Sequence, residues 1–298
     1  MTYRSVFRDG LFDGRVVIVT GGGTGIGRCT AHELAALGAR CVLVGRRRGP
    51  LEATAAEIVD AGGAAEARPC DVRDEEGARG LVASVVSDHG HIHGLVNNAG
   101  GQFPAPLAEI SAKGFEAVVR TNLVGGYLMA RECYRQAMEA RGGAIVNLLA
   151  DFWRGMPNMG HSGAARAGAA NLTMTEAVEW AAAGVRVNAV APGWVASSGL
   201  DRYDAAMADT IRSLRAHVPL KRLATESEVS AAILFLLSDA AAFITGTVLR
   251  VDGGAPLMTP LWPIPDHDRA PAFDGFPLGR TPRVLGGGGA DGEREQGD

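Results

Sequence analysis

The chain has 298 residues, 47% of them hydrophobic, a formal net charge of −4 and four cysteines. A chain this apolar can bury a sizeable core, which excludes disorder over most of its length, and its net charge gives no reason to expect nucleic-acid binding, which calls for a basic surface. No apolar run reaches the length of a membrane span, and Cys29, Cys41, Cys70 and Cys133 have neither metal-ligand nor disulfide-scaffold spacing.

Residues 1–14 form a polar lead-in without the apolar core of a signal peptide. From residue 15 the pattern alternates. Apolar runs at 15–20, 40–44, 64–69, 94–97, 143–149, 185–191 and 247–251 read as strands. Helical stretches fill the gaps at 25–37, 49–61, 74–88, 113–139, 161–183 and 226–238. Strands that are apolar throughout and separated by helices predict a doubly wound parallel sheet covered on both faces, one domain over 15–255. Residues 196–220 follow a strand end and predict a lid. Residues 256–298 form a C-terminal extension rich in Pro and Gly, whose last dozen residues are expected to be disordered.

The stretch around which the chain is organised is Thr20-Gly21-Gly22-Gly23-Thr24-Gly25-Ile26-Gly27, between the first strand and the first helix. Glycine there lets a pyrophosphate approach bare N–H groups at a positive helix end. After the second strand, Gly45 stands where an acid would hold the ribose hydroxyls of NAD, and Arg46 follows. Arg46 and Arg28 suit the 2′-phosphate of NADP, although a solvated basic turn is the competing reading.

The Thr-Gly-x-x-x-Gly-x-Gly spacing resembles the cofactor loop of the short-chain dehydrogenase/reductase family. Further stretches match it in order: Cys70-Asp71-Val72, Asn97-Asn98-Ala99-Gly100, Pro192-Gly193-Trp194-Val195 and Val251-Asp252-Gly253-Gly254. The resemblance covers roughly residues 12–255. It implies a single-domain Rossmann fold binding NADPH through Gly21, Thr24, Gly25, Ile26, Gly27, Arg28, Arg46, Asp71, Val72, Asn98, Ala99, Gly100, Arg166, Pro192, Gly193 and Val195. It also implies a homotetramer packed through the two long helices and the last strand.

The family's catalytic Asn, Ser, Tyr and Lys are only partly matched. Asn122 fits the first. Aligning back from Ala167-Gly168-Ala169-Ala170 puts Arg166 at the Lys position, Ser162 at the Tyr position and Leu149 at the Ser position. The alternative register sets His161 against the Tyr and Ala165 against the Lys, and loses the cation. An aliphatic hydroxyl is a poor acid for ketone reduction. Reduction of a C=C bond conjugated to a thioester asks less of it, because a fixed donor can stabilise the enolate oxygen without ionising.

The stretch from Pro157 to Gly168, with Gly100-Gly101-Gln102-Phe103 and Pro265-Asp266-His267-Asp268, resembles the peroxisomal trans-2-enoyl-CoA reductases. The related 2,4-dienoyl-CoA reductases place a Tyr eleven residues before the Ser, where this chain has Asp151. Asp151 could relay a proton or be a solvated loop acid, and His161 could point into the site or cap the helix start. Trp153, Met156 and Met159 could line an acyl pocket or pack in the core. Tyr127 and Tyr203 are the tyrosines near enough in sequence to replace the missing acid; Tyr127 falls on a different helix face from Asn122.

The expected activity is NADPH-dependent reduction of a trans-2-enoyl-CoA or 2,4-dienoyl-CoA, with Arg4 and Arg8 as cations for the CoA phosphates. Carbonyl or alcohol chemistry with a degenerate tetrad, and a non-catalytic NADPH-binding sensor or subunit, are the alternatives. No metal, membrane or nucleic-acid partner is expected. The ending Glu295-Gln296-Gly297-Asp298 is no peroxisomal signal, so the expected location is cytoplasmic.

Overall fold

The computed structural model describes residues 2–286 apart from 204, 260 and 262. The expected disorder of 287–298 lies outside the described residues. Seven strands form one sheet: β1 (Val16–Thr20), β2 (Arg40–Gly45), β3 (Ala64–Pro69), β4 (Gly94–Asn97), β5 (Gly143–Leu148), β6 (Val185–Pro192) and β7 (Val248–Val251). Their order is β3-β2-β1-β4-β5-β6-β7, and every neighbouring pair is parallel. Each strand predicted from sequence is present within two residues of its expected ends.

Alternation along the strands fills both faces. Val17, Val19, Cys41 and Leu43 pack with helices α1 (Gly25–Ala36), α2 (Arg48–Asp60) and the later helix Glu226–Leu237. Val16, Ile18, Val42 and Val44 face α3 (Glu75–His89) and the helix around Met129. Connections out of β1 turn one way and those out of β4 the other. The crevice between these strands is therefore the switch point of the sheet, where ligands bind in such folds.

The long helix predicted over 113–139 is not continuous. It runs as α4 (Ala112–Val119), a π-turn (Arg120–Val124), α5 (Gly125–Cys133), a second π-turn (Tyr134–Met138) and α6 (Glu139–Arg141). A π-turn inserts a residue into the i→i−4 ladder, and here it carries Asn122. Helix α7 (Gly160–Glu179) gives way to a 3₁₀ turn at Ala181–Ala183, and Gly184 at φ 73° turns the chain into β6. In the segment expected to be a lid, one short helix, α8 (Ala208–Ser213), lies among 3₁₀ turns.

The lead-in is less polar in fact than in pattern. Phe12 joins the main core, and Tyr3 is buried against Cys29 and Phe276. The C-terminal extension runs back over the start of α9 (Glu226–Leu237). Arg222 bonds the carbonyls of Ala270 and Pro271, Thr225 Oγ1 donates to Phe273 O at 2.5 Å, and Arg4 N donates to Gly275 O. This strap meets the lead-in on the outer side of α1.

Candidate active site

The C-terminal ends of β1, β2 and β4 border a cleft of about 430 Å³. Gly21, Thr24, Arg46, Asp71, Val72, Ala99 and Gly100, all named from the sequence as cofactor contacts, line it together with Arg47 and Thr121. Thr24 makes no side-chain cap at the start of α1, and no acid occupies the first helical turn, which leaves the orphan N–H groups and dipole for an anion. That donor set fits the pyrophosphate of a dinucleotide. Asp71 is held by Arg73, whose guanidinium keeps its carboxyl below the usual range.

Several predicted cofactor residues act by building the cradle. Asn98 Nδ2 donates to Thr20 O at 2.9 Å, and Thr20 Oγ1 accepts from the N–H groups of Asn98 and Ala99 at 3.0 and 2.9 Å. Gly27 packs so tightly on Gly21 and Asn98 that a Cβ has no room. Gly25 takes φ 59°, a conformation that favours glycine. Ile26 packs on the core. Pro192 ends β6, Gly193 N donates to Val251 O, and Val195 bridges to Ala224.

Arg28 is a correction. Its guanidinium makes a forked pair with Glu57, at 2.8 and 2.9 Å, and lies 5.0 Å over the Phe276 ring. It is not among the residues lining the cleft, whereas Arg46 and Arg47 are.

The catalytic half brings together distant segments. Arg166 is buried and donates to Leu148 O at 2.6 Å, while its Nε has no partner among the described residues. Burial without a neighbouring carboxylate pulls its pKa down to about 10, so it stays a cation at neutral pH. Gly100 is what admits it: a Cβ there would meet the guanidinium and Asn122 Oδ1. Asn122 exchanges two bonds with the Gly101 backbone, at 2.9 and 3.0 Å, and sits 3.5 Å from Ser162 Oγ.

Ser162 is fully buried on the first turn of α7. Its hydroxyl donates to Gln102 Oε1 at 2.7 Å, and Gln102 Nε2 donates to Tyr203 OH at 3.2 Å. The sequence marks Gln102 only through the resemblance of Gly100-Gly101-Gln102-Phe103, and Tyr203 as one of two tyrosines near enough to replace the missing acid. His161 Nδ1 accepts the Ser162 N–H at 2.8 Å, so the ring caps the helix start and packs edge-on against Phe103. Its Nε2 is buried without a partner among the described residues.

Asp151 stands apart. It lies after β5 facing Asp252 and Arg250, burial raises its carboxyl, and no hydrogen bond among the described residues joins it to Ser162. Trp153 is half-exposed under the Arg250 guanidinium, and Leu149 is core. Arg4 and Arg8 line neither cavity. Two carboxyls went unread in the sequence. Glu226 faces Gly25 from α9, and Glu176 lines a narrow cavity with Asn122 and Arg166; burial pushes each up to about 7.

The described residues contain no helix long and apolar enough to cross a membrane, and no cluster of His, Cys, Asp and Glu suited to a metal. A profile of the family described as Enoyl-(Acyl carrier protein) reductase matches residues 21–256. A solved structure named citronellol catabolism dehydrogenase (AtuB), from Pseudomonas aeruginosa PAO1, is 61% identical with a TM-score of 0.77, covering 85% of this chain and 99% of its own. A Bacillus subtilis protein named as a probable 2,4-dienoyl-CoA reductase is 36% identical over 80% of this chain and 96% of its own. A Beutenbergia cavernae structure described as an NAD(P)-dependent gluconate 5-dehydrogenase, with NADP at low occupancy, is 37% identical with a TM-score of 0.77, covering 83% of this chain and 98% of its own. With the parallel sheet, the glycine loop and these matches together, the chain belongs to the short-chain dehydrogenase/reductase family of oxidoreductases, which bind NAD(P).

Proposed function

We propose that the protein uses NADPH to reduce the C=C bond of an α,β-unsaturated acyl thioester, a trans-2-enoyl-CoA or a 2,4-dienoyl-CoA. The observation that carries this reading is Ser162: a fully buried hydroxyl, at the position where the family has its phenol, donating to a carbonyl oxygen at 2.7 Å. Such a hydroxyl stabilises an enolate oxygen by hydrogen bonding, whereas alkoxide formation from a ketone demands a proton it gives up poorly. The bound nicotinamide supplies a hydride to C3. With the cofactor bound, Arg166 would hold positive charge beside the nicotinamide ribose and Ser162 would hold the thioester oxygen, while Asn122 fixes the Gly101 backbone at the rim. Arg46 and Arg47 support a preference for the 2′-phosphate.

The test is NADPH oxidation with a medium-chain trans-2-enoyl-CoA beside a 3-ketoacyl-CoA and a simple ketone. Turnover on the enoyl thioester alone is expected. Ketone turnover without enoyl turnover overturns the reading. A second reading, alcohol or carbonyl chemistry on an acyclic terpenoid, is favoured by the name of the 61% identical structure; NADP⁺ reduction with citronellol is its assay. We further propose a homotetramer in the cytoplasm, its contact faces on the long helices, where Tyr127, Met174 and Val178 are exposed.

A further inference from the structure

We infer that Tyr203, carried by the segment over the site, is the acid that protonates C2 of the substrate, and that the Gln102 carboxamide occupies the place of the reacting group until substrate arrives. This rests on the enoyl thioester reading above.

The argument is one of matching atoms. Gln102 presents an oxygen, a trigonal carbon and a nitrogen in one plane. Its oxygen sits 2.7 Å from Ser162 Oγ and its nitrogen 3.2 Å from Tyr203 OH. A thioester presents the same three-atom unit: the carbonyl oxygen, C1 and C2. Laid on Ser162 in place of the amide, its oxygen takes the Ser162 hydrogen bond. C2 then falls where Gln102 Nε2 was, within reach of the phenol.

Ser162 is fully buried whereas Gln102 is exposed, so the amide closes the mouth of the site from outside. Nothing but a stronger or better-placed carbonyl needs to enter for it to leave. In the bond from Gln102 the phenol oxygen is the acceptor, so the Tyr203 proton is not spent there.

The other groups on this chain of bonds are poor proton donors. The Asn122 amide and the Arg166 guanidinium hold their protons at neutral pH. Ser162 is engaged with the oxygen, and Asp151 is not connected to it among the described residues. His161 meets the backbone N–H of Ser162 through Nδ1, and no hydrogen bond among the described residues joins it to Gln102; the Tyr203 phenol is the acid placed beside the C2 position.

The step balances. Hydride adds to C3, the C2=C3 pair moves to C1=C2, and the C1–O π pair moves to the oxygen held by Ser162. The enolate then re-forms C1=O as C2 takes the proton from Tyr203, and the half-buried phenolate recovers a proton from water.

The experiment compares wild type, Tyr203→Phe and Gln102→Ala on a trans-2-enoyl-CoA with NADPH, in water and in D₂O. Tyr203→Phe should lower kcat about 10²-fold, leave KM and the NADPH Kd within about twofold, and turn a single C2-deuterated epimer into a mixture. Gln102→Ala removes the amide that competes for Ser162, so it should lower KM for the enoyl thioester about tenfold, the scale of one hydrogen bond, and still give a single epimer; an unchanged KM overturns the placeholder role. A Tyr203→Phe enzyme with wild-type kcat and one epimer overturns the assignment of Tyr203 and leaves the enoyl reading standing. Wild-type enzyme that never reduces the enoyl thioester overturns both.

Discussion

The two halves of the site are made of different materials. Around the adenosine cleft the chain offers backbone: uncapped N–H groups at α1, a glycine loop, and a carbonyl and amides braced by the Asn98 and Thr20 side chains. Around Ser162 it offers side chains from four separate elements, which converge through bonds spanning 40 to 101 residues of sequence. A backbone cradle tolerates change in the chemistry beside it. The side-chain half can exchange Tyr for Ser and Lys for Arg while the cradle stays as it was, which is how one fold hosts different reactions.

That contrast can be broken or sharpened by substitution. The largest effect is expected from Ser162→Ala, which removes the donor to the enolate oxygen. Enoyl-CoA kcat should fall about 10²–10³-fold, with NADPH titration by fluorescence unchanged. Loss of NADPH binding instead would mean that the halves are not separable. In the cradle, Arg46→Ala should weaken NADPH about tenfold, the scale of one hydrogen bond to a charged group, and leave NADH alone. Equal weakening of both cofactors would mean that the arginine serves only the turn.

A smaller effect concerns stability. Burial holds Glu176 up at about 7, above the ordinary carboxyl, so the folded state binds its proton more tightly than the unfolded one. Its contribution is present below the ordinary carboxyl range and is lost as pH rises through 7. Glu176→Gln should therefore match wild type near pH 4.5 and exceed it at pH 8 by about 3 kcal/mol, a Tm gain of several degrees. Calorimetry at the two pH values decides. A gain of equal size at both would point to packing. The smallest expected effect is that of Arg28→Met on cofactor choice, since Glu57 and Phe276 already claim that guanidinium. The NADPH/NADH ratio should stay within about twofold, the scale of a surface pair.

The sheet was legible because its signals are local. An apolar run such as Val16-Val17-Ile18-Val19 and the glycines after it declare strand and loop within a dozen residues. Ser162 and Arg166 were placed by resemblance, counting back from Ala167-Gly168-Ala169-Ala170, and Asn122 by the Thr121-Asn122 match, although the π-turn that seats it left no mark in the pattern. Arg28 was misread because proximity in sequence to the glycine loop says nothing of which way a side chain leaves the helix. Glu57, 29 residues away, decides that. Gln102 and Tyr203 meet across 101 residues, and no periodicity reports such a meeting.

The strap that joins Gly275 and Phe276 to Arg4 and Tyr3 has a consequence for biosynthesis. Almost the entire chain separates these partners. At about 5–20 residues per second, the ribosome delivers the second tens of seconds after the first. Throughout that interval the outer flank of α1 around Cys29 lacks its cover, and Tyr3 has no ring to lie against. The nascent protein therefore leaves the Tyr3 side of its lead-in uncovered for most of its synthesis.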